Sequence, residues 1–283
     1  GKVCVVAGST SGVVLAAIRR LARGGADIVM VCRNRGKAEP IRDEIARSHG
    51  VRVDIVTADF RDLAAVRAAA GVLLGTYPRI DVLINSAGIH STTLTTTAAG
   101  METVFCVNHL APFLLTHLLL DRMKACAPSR IIQVNSEGHR FGSVNLDDLA
   151  WERHHYTGLK GYGASKTAQL LSVWEFADRL AGTGVTINAM HPGDVRTGIG
   201  SNNGIVYRAF KRLFIWPVLK DPAISGEALY YLAAAPEMAG VSGRFFHLTT
   251  EEKPAAHALD RELGKRAWDV SMAMSGLAAG PTR

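Results

Sequence analysis

Short β-branched runs and amphipathic stretches alternate along this chain from its first residues. Lys2 to Ala7 carries Val3, Val5 and Val6 and predicts a buried strand. Past Gly8-Ser9-Thr10-Ser11-Gly12, residues Val14, Ala17, Ile18 and Leu21 recur at helical spacing, and Gly24-Gly25 closes the segment. The alternation continues through strand Asp27 to Cys32, helix Lys37 to Arg47, strand Val51 to Thr57, a helix from the N-cap Asp62 to Leu74, and strand Ile80 to Asn85. A long helix is expected over Gly100 to Cys126, then strand Arg130 to Val134, a helix from Tyr162 to Gly182 and strand Thr186 to Met190. Asp221-Pro222 restarts a helix, Gly243 to Leu248 supplies a last strand, and Ala255 to Met274 a packing helix. This order predicts the α/β class: one doubly wound parallel sheet with helices on both faces. The polar stretch Asn145 to His155 reads as a surface excursion, and amphipathic Ile205 to Leu219 as a mobile lid with its basic residues toward water.

Ligands of such sheets bind at the carboxyl ends of the strands. There Gly8, Ser9, Ser11, Gly12 and Val13 form a turn whose free N–H groups and helix dipole suit a pyrophosphate. Gly8-x-Thr10-x-Gly12 also mimics a nucleophile elbow, but no ordered acid and His partners accompany it. The second strand ends in Cys32-Arg33-Asn34, about twenty residues past the glycine turn, where an acid would hold a ribose 2′-hydroxyl. Arg33 offers a cation there instead, which leans the reading to NADP(H) over NAD. Further strand ends carry Asp59-Phe60, Asn85-Ser86-Ala87-Gly88, Ser136, and Pro192-Gly193 followed by Val195 and Thr197. Asn108 lies among apolar neighbours, so its amide must be satisfied, either at a helix kink or by ordering a water. Tyr162 and Lys166 stand one helical turn apart, so an ammonium beside the phenol would lower its pKa from about 10 and make it a general acid–base group.

Composition narrows the picture. At 283 residues the chain can bury a full core as one large domain, and its longest apolar run is broken by Thr116 and His117, so no membrane-spanning helix is expected. Gly1 leads within one residue into strand, so an upstream signal or anchor is left open. Cys4, Cys32, Cys106 and Cys126 show no metal-binding spacing, which predicts reduced thiols in a reducing, cytoplasmic setting. The ten histidines are scattered and His154-His155 lies in a polar loop, so no metal site is expected. A net charge of +7 suits a phosphate-bearing ligand, an acidic membrane or nucleic acid; without a basic block, nucleic acid ranks low.

Taken in order, Gly8-x-x-x-Gly12, Asn85-Ser86-Ala87-Gly88, Asn108, Ser136, Tyr162-x-x-x-Lys166 and Pro192-Gly193 resemble the short-chain dehydrogenase/reductase family over essentially the whole chain. The Cys32-Arg33-Asn34 turn and the insertion between Ser136 and Tyr162 look most like its retinol-dehydrogenase-like branch. The resemblance implies a single Rossmann-type domain over 1–283, with a cofactor half to about residue 130, a catalytic and substrate half beyond it, and a lid at 198–220. It implies NADP(H)-dependent interconversion of a carbonyl and an alcohol on a lipophilic small molecule, and pairing of copies through the long helices. By the same resemblance Tyr162 exchanges the proton, Lys166 tunes it and binds the nicotinamide ribose, Ser136 positions the oxygen, Asn108 holds a relay water, and Val195 and Thr197 flank the carboxamide. Ala7, Ser86 and Val14 depart from the family pattern. Val14, in place of a third glycine, either pushes the first helix outward or joins its apolar face. It is the one support for an alternative, a non-redox isomerase or cyclase using Tyr162 as an acid, or a silent binding protein.

Overall fold

A computed structural model describes residues 1–10, 12–193 and 221–277. Its strands are β1 (Val3–Ala7), β2 (Asp27–Cys32), β3 (Val53–Thr57), β4 (Val82–Asn85), β5 (Ser129–Val134), β6 (Val185–His191), β7 (Phe245–His247) and β8 (Thr250–Glu251). They form one sheet in the order β3-β2-β1-β4-β5-β6-β7-β8, parallel except for the β7–β8 hairpin. The order reverses between β1 and β4, which opens a crevice at their carboxyl ends. Alternate side chains of each strand enter opposite cores: Val5 and Ala7 of β1 join one cluster, Cys4 and Val6 the other. Burial on both faces is why these strands read as continuous apolar runs.

One layer holds α1 (Gly12–Arg23), α2 (Arg35–His49) and α7 (Pro222–Ala234). Val14 is 1 % exposed in that core, beside Ile18 and Leu21, so it serves the apolar face of α1. The tight approach in this layer falls at Gly226 of α7, where a Cβ would sit 2.6 Å from that of Ala16.

The other layer holds α3 (Leu63–Thr76), α6 (Gly158–Arg179), α8 (Arg261–Met274) and the long helix Thr103–Ala125. That helix begins later than the sequence predicts, after Glu102 caps it by accepting the N–H groups of Val104 and Phe105. It consists of one turn, α4 (Thr103–Phe105), a π-helical segment (Cys106–Leu110) and α5 (Ala111–Ala125). Pro112 explains the π segment: it has no N–H for the carbonyl of Asn108 four residues earlier, so the ladder widens. The helix is long and apolar enough to cross a membrane, and 83 % of that window is buried inside the fold. The last helix starts at Arg261 rather than Ala255, because the Asp260 carboxylate accepts the Leu263 N–H and caps it there.

The insertion before α6 is more than a surface excursion. Val144 is buried, and Leu146, Leu149 and Trp151 lean on the core. Asp148 accepts the N–H of Glu152 and meets His154 Nδ1 at 2.7 Å, which pins the loop and engages one histidine of the adjacent pair. The expected lid, 198–220, lies outside the described residues.

Candidate active site

The carboxyl ends of β1 and β4 meet at Gly8 and Ala87. Gly8 has φ +83°, and a Cβ there would stand 2.5 Å from the Ala87 nitrogen, so the close approach requires glycine. Gly12, at φ +61°, opens α1. Gly88 continues the floor: a Cβ on it would be 3.5 Å from Asn108 Oδ1 and 4.0 Å from Lys166 Nζ, so these three positions converge.

On the far side, β5 delivers Ser136, whose Oγ accepts the Gly138 N–H at 3.0 Å and neighbours the Tyr162 hydroxyl. Helix α6, capped by Thr157, presents Tyr162 and Lys166 at 8 % and 3 % exposure. The sequence predicts a phenol made more acidic by the lysine. Instead, burial pushes the Tyr162 hydroxyl up to about 12, with the neighbouring Ser136 hydroxyl pulling the other way. Burial also pulls the Lys166 ammonium down to about 7. Lys166 Nζ donates to the Val134 carbonyl at 2.8 Å and to Gln169 Oε1 at 3.2 Å, and lies 5.9 Å from the Tyr162 ring centre. Desolvation of both groups therefore outweighs their mutual influence.

Asn108 has its amide engaged at both ends. Oδ1 accepts from Ile89 N at 2.8 Å, while Nδ2 donates to the Ile89 carbonyl and Ser165 Oγ at 3.0 Å each. The side chain thus fixes the loop after β4 against α6. Its backbone carbonyl, released by Pro112, accepts from Gln169 Nε2 at 3.2 Å.

Gln169 joins these groups; its only mark in the sequence is a polar side chain one turn past Lys166 in an apolar run. Its Oε1 also accepts from Asn135 Nδ2 at 2.8 Å, and Nε2 approaches Gln133 Oε1 at 3.4 Å. Gln133 in turn donates to Thr116, which accepts from Asn85. Replacing Gln169 by Leu should lower stability by about 1–3 kcal/mol, because buried partners on β5 and the π segment lose their hydrogen bonds. Urea unfolding measures this; an unchanged midpoint would show that the amide network does not hold the site.

The cofactor candidates differ in how their side chains are held. The Asn85 amide is buried and donates to Thr116 rather than facing the crevice. Val13 and Phe60 are buried in the core, and Asn34 caps α2 by accepting the Lys37 N–H. Asp59 is ion-paired with Arg61 at 2.6 Å. Arg33 is exposed at the end of β2, and no ion pair to it occurs among the described residues. Pro192 and Gly193 follow β6, with the Pro192 carbonyl accepting from Ser225 Oγ at 2.8 Å. Ser11, Val195 and Thr197 lie outside the described residues.

The arrangement fits a nicotinamide dinucleotide. Small residues floor the crevice from Gly8 to Gly88, α1 starts at Gly12 just beyond the carboxyl end of β1, and Lys166 brings a buried cation that meets no carboxylate among the described residues. Hydroxyl oxygens of a ribose would satisfy that ammonium.

Comparison with known proteins agrees. The profile described as short chain dehydrogenase matches residues 2–205. Human retinol dehydrogenase 13 is 38 % identical over 100 % of this chain and 87 % of its own length. Mouse retinol dehydrogenase 14 is 39 % identical over 98 % of this chain and 86 % of its own. Among solved structures, an uncharacterised protein of Mycobacterium paratuberculosis superposes with a TM-score of 0.74 at 28 % identity, covering 98 % of this chain and 94 % of its own. A dehydrogenase/reductase of Sinorhizobium meliloti gives 0.68 at 26 %, covering 87 % and 93 %. The family uses a nicotinamide cofactor, NAD or NADP, and the chain belongs to it: this is a short-chain dehydrogenase.

Proposed function

We propose that the protein interconverts a carbonyl and an alcohol on a lipophilic small molecule of retinoid size, using NADP(H). The convergence of Ser136, Tyr162 and Lys166 carries the reading. Ser136 Oγ accepts from a backbone N–H, which leaves its own O–H to orient a substrate oxygen beside the Tyr162 hydroxyl. Tyr162 holds the proton that this oxygen gains or loses, and burial keeps bulk water from competing. Lys166, buried next to it, binds the ribose and supplies positive charge as the oxygen becomes anionic. The cofactor, when bound, supplies or takes the hydride. Asn108 and Gln169 position these groups.

Two observations support the substrate class. Phe141 and Leu159, 58 % and 52 % exposed, lie on the turn after Ser136 and the first turn of α6. Relatives named retinol dehydrogenases share the full length of the chain. The non-redox alternative rested on Val14, which has a packing role in α1. All four thiols are free, in keeping with the cytoplasmic setting that forms part of this proposal.

The test is product formation from retinaldehyde and medium-chain aldehydes with NADPH and NADH, followed by chromatography. Cofactor binding with no turnover of any such substrate would overturn the reading. Arg33→Asp should shift the NADPH/NADH ratio of kcat/KM by at least about tenfold toward NADH, because it exchanges a cation for a hydroxyl acceptor. An unchanged ratio would remove Arg33 from the cofactor site.

A further inference from the structure

Three strand ends converge on a second polar cluster. His191 closes β6, its register partner His247 closes β7, and Glu252 follows β8. The two imidazoles stack with centroids 4.5 Å apart and planes at 11°. One donor atom from each of the three residues lies within 4.8 Å of the other two. His191 is 4 % exposed, and its Nε2 faces two carboxylates, Glu252 Oε2 at 3.0 Å and Glu137 Oε1 at 3.2 Å.

A single imidazole N–H can satisfy only one of these oxygens. Glu137 Oε1 is accordingly buried without a hydrogen-bond partner, an arrangement that burial normally penalises. Arg140 completes the frame, donating from Nε to Glu137 Oε2 and from Nη2 to Glu252 Oε1. Arg140 thereby holds one oxygen of each carboxylate and leaves the other facing His191, as outer-shell partners of metal ligands do. Two carboxylates against one guanidinium leave the cluster negative.

We propose that His191, His247 and Glu252, with Glu137 as fourth donor, bind one divalent ion of the zinc class. Tetrahedral bonds of about 2.0–2.1 Å place donors roughly 3.3 Å apart, close to the two spacings around His191 Nε2. The wider separation within the cluster closes by rotation of the exposed His247 side chain. Imidazole and carboxylate donors without thiolate select zinc, cobalt or nickel over soft monovalent copper. Coordination at Nε2 puts the ring proton of His191 on Nδ1, which then no longer accepts the long 3.4 Å contact from the Gly193 N–H, so that N–H turns away from the ring. The ion would therefore fasten β6 to the hairpin at the corner that leads into Pro192-Gly193.

The test is calorimetric titration of the chelator-treated full chain with Zn²⁺, alongside the visible spectrum with Co²⁺. We expect one ion per chain, four-coordinate Co²⁺ bands, and a rise in melting temperature on Zn²⁺ addition. His247→Ala and Glu252→Gln should each weaken binding by at least about tenfold, since even the loss of outer-shell partners costs that much. His247 is exposed, so its replacement leaves the fold intact. His154→Ala with His155→Ala should leave binding unchanged. Absence of a saturable site, or a site that survives His247→Ala, would overturn the proposal, as would its loss on removing His154 and His155.

Discussion

Tyr162→Phe is expected to reduce turnover by about 10²–10⁴-fold, the range attributed to positioned proton transfer, while NADPH affinity stays close to that of the parent protein. The ring keeps its packing on Gly138 and its edge contact with His90 at 5.6 Å, and only the hydroxyl beside Ser136 is lost. Stability should change by no more than about 1 kcal/mol, the net value of one hydrogen bond. Single-turnover kinetics with calorimetric titration of NADPH separate the effects. Lys166→Ala provides the contrast, because it also removes the bonds to Val134 and Gln169 and the only cation near Gly88 among the described residues, so cofactor binding should weaken with turnover. A Tyr162→Phe protein that kept the parent rate would end the acid–base assignment.

The sheet was legible because its strands and helices are separated by period: Val3, Val5 and Val6 cannot be taken for the helix that carries Val14, Ala17, Ile18 and Leu21. Ser136, Tyr162 and Lys166 were legible because their spacing is local or their strand ends are marked. What stayed hidden depends on neighbours brought from elsewhere. The acidity of Tyr162 depends on desolvation, and a helical spacing carries no record of how much water remains. Gln169 becomes central only once β5 places Asn135 and Gln133 against α6 and the π segment turns the Asn108 carbonyl toward it. Pro112 was the available signal for that segment, a proline inside an apolar helical pattern. Asn85 reads as a ligand residue by position, yet a strand buried on both faces turns its amide into the core. His191, His247 and Glu252 are scattered in sequence and adjacent only because β6, β7 and β8 are hydrogen-bonded neighbours.

Gly138 makes the dependence on neighbours testable. Its backbone is not in the left-handed region, so alanine meets no conformational penalty there, and the effect of Gly138→Ala must come from space. A Cβ at this position would lie 2.5 Å from Tyr162 Cε1, 2.7 Å from Cδ1 and 3.3 Å from Ser136 Oγ. The first two distances are shorter than any real carbon contact, so the Tyr162 ring must shift by about 1 Å to regain the usual separation. A misplacement of that size is expected to reduce kcat by about 10²-fold, while overpacking costs about 1–3 kcal/mol of stability. The protein should therefore remain folded and still bind NADPH, with its hydroxyl out of line with the substrate oxygen. Combining Gly138→Ala with Tyr162→Phe distinguishes this from a general weakening of the fold. If alanine acts through the Tyr162 ring, the double variant should turn over no more slowly than Tyr162→Phe alone, because the two changes disable one unit. A further drop of similar size in the double variant would show that alanine acts elsewhere, and a Gly138→Ala protein with the parent kcat would show that the ring does not rest against this glycine during turnover.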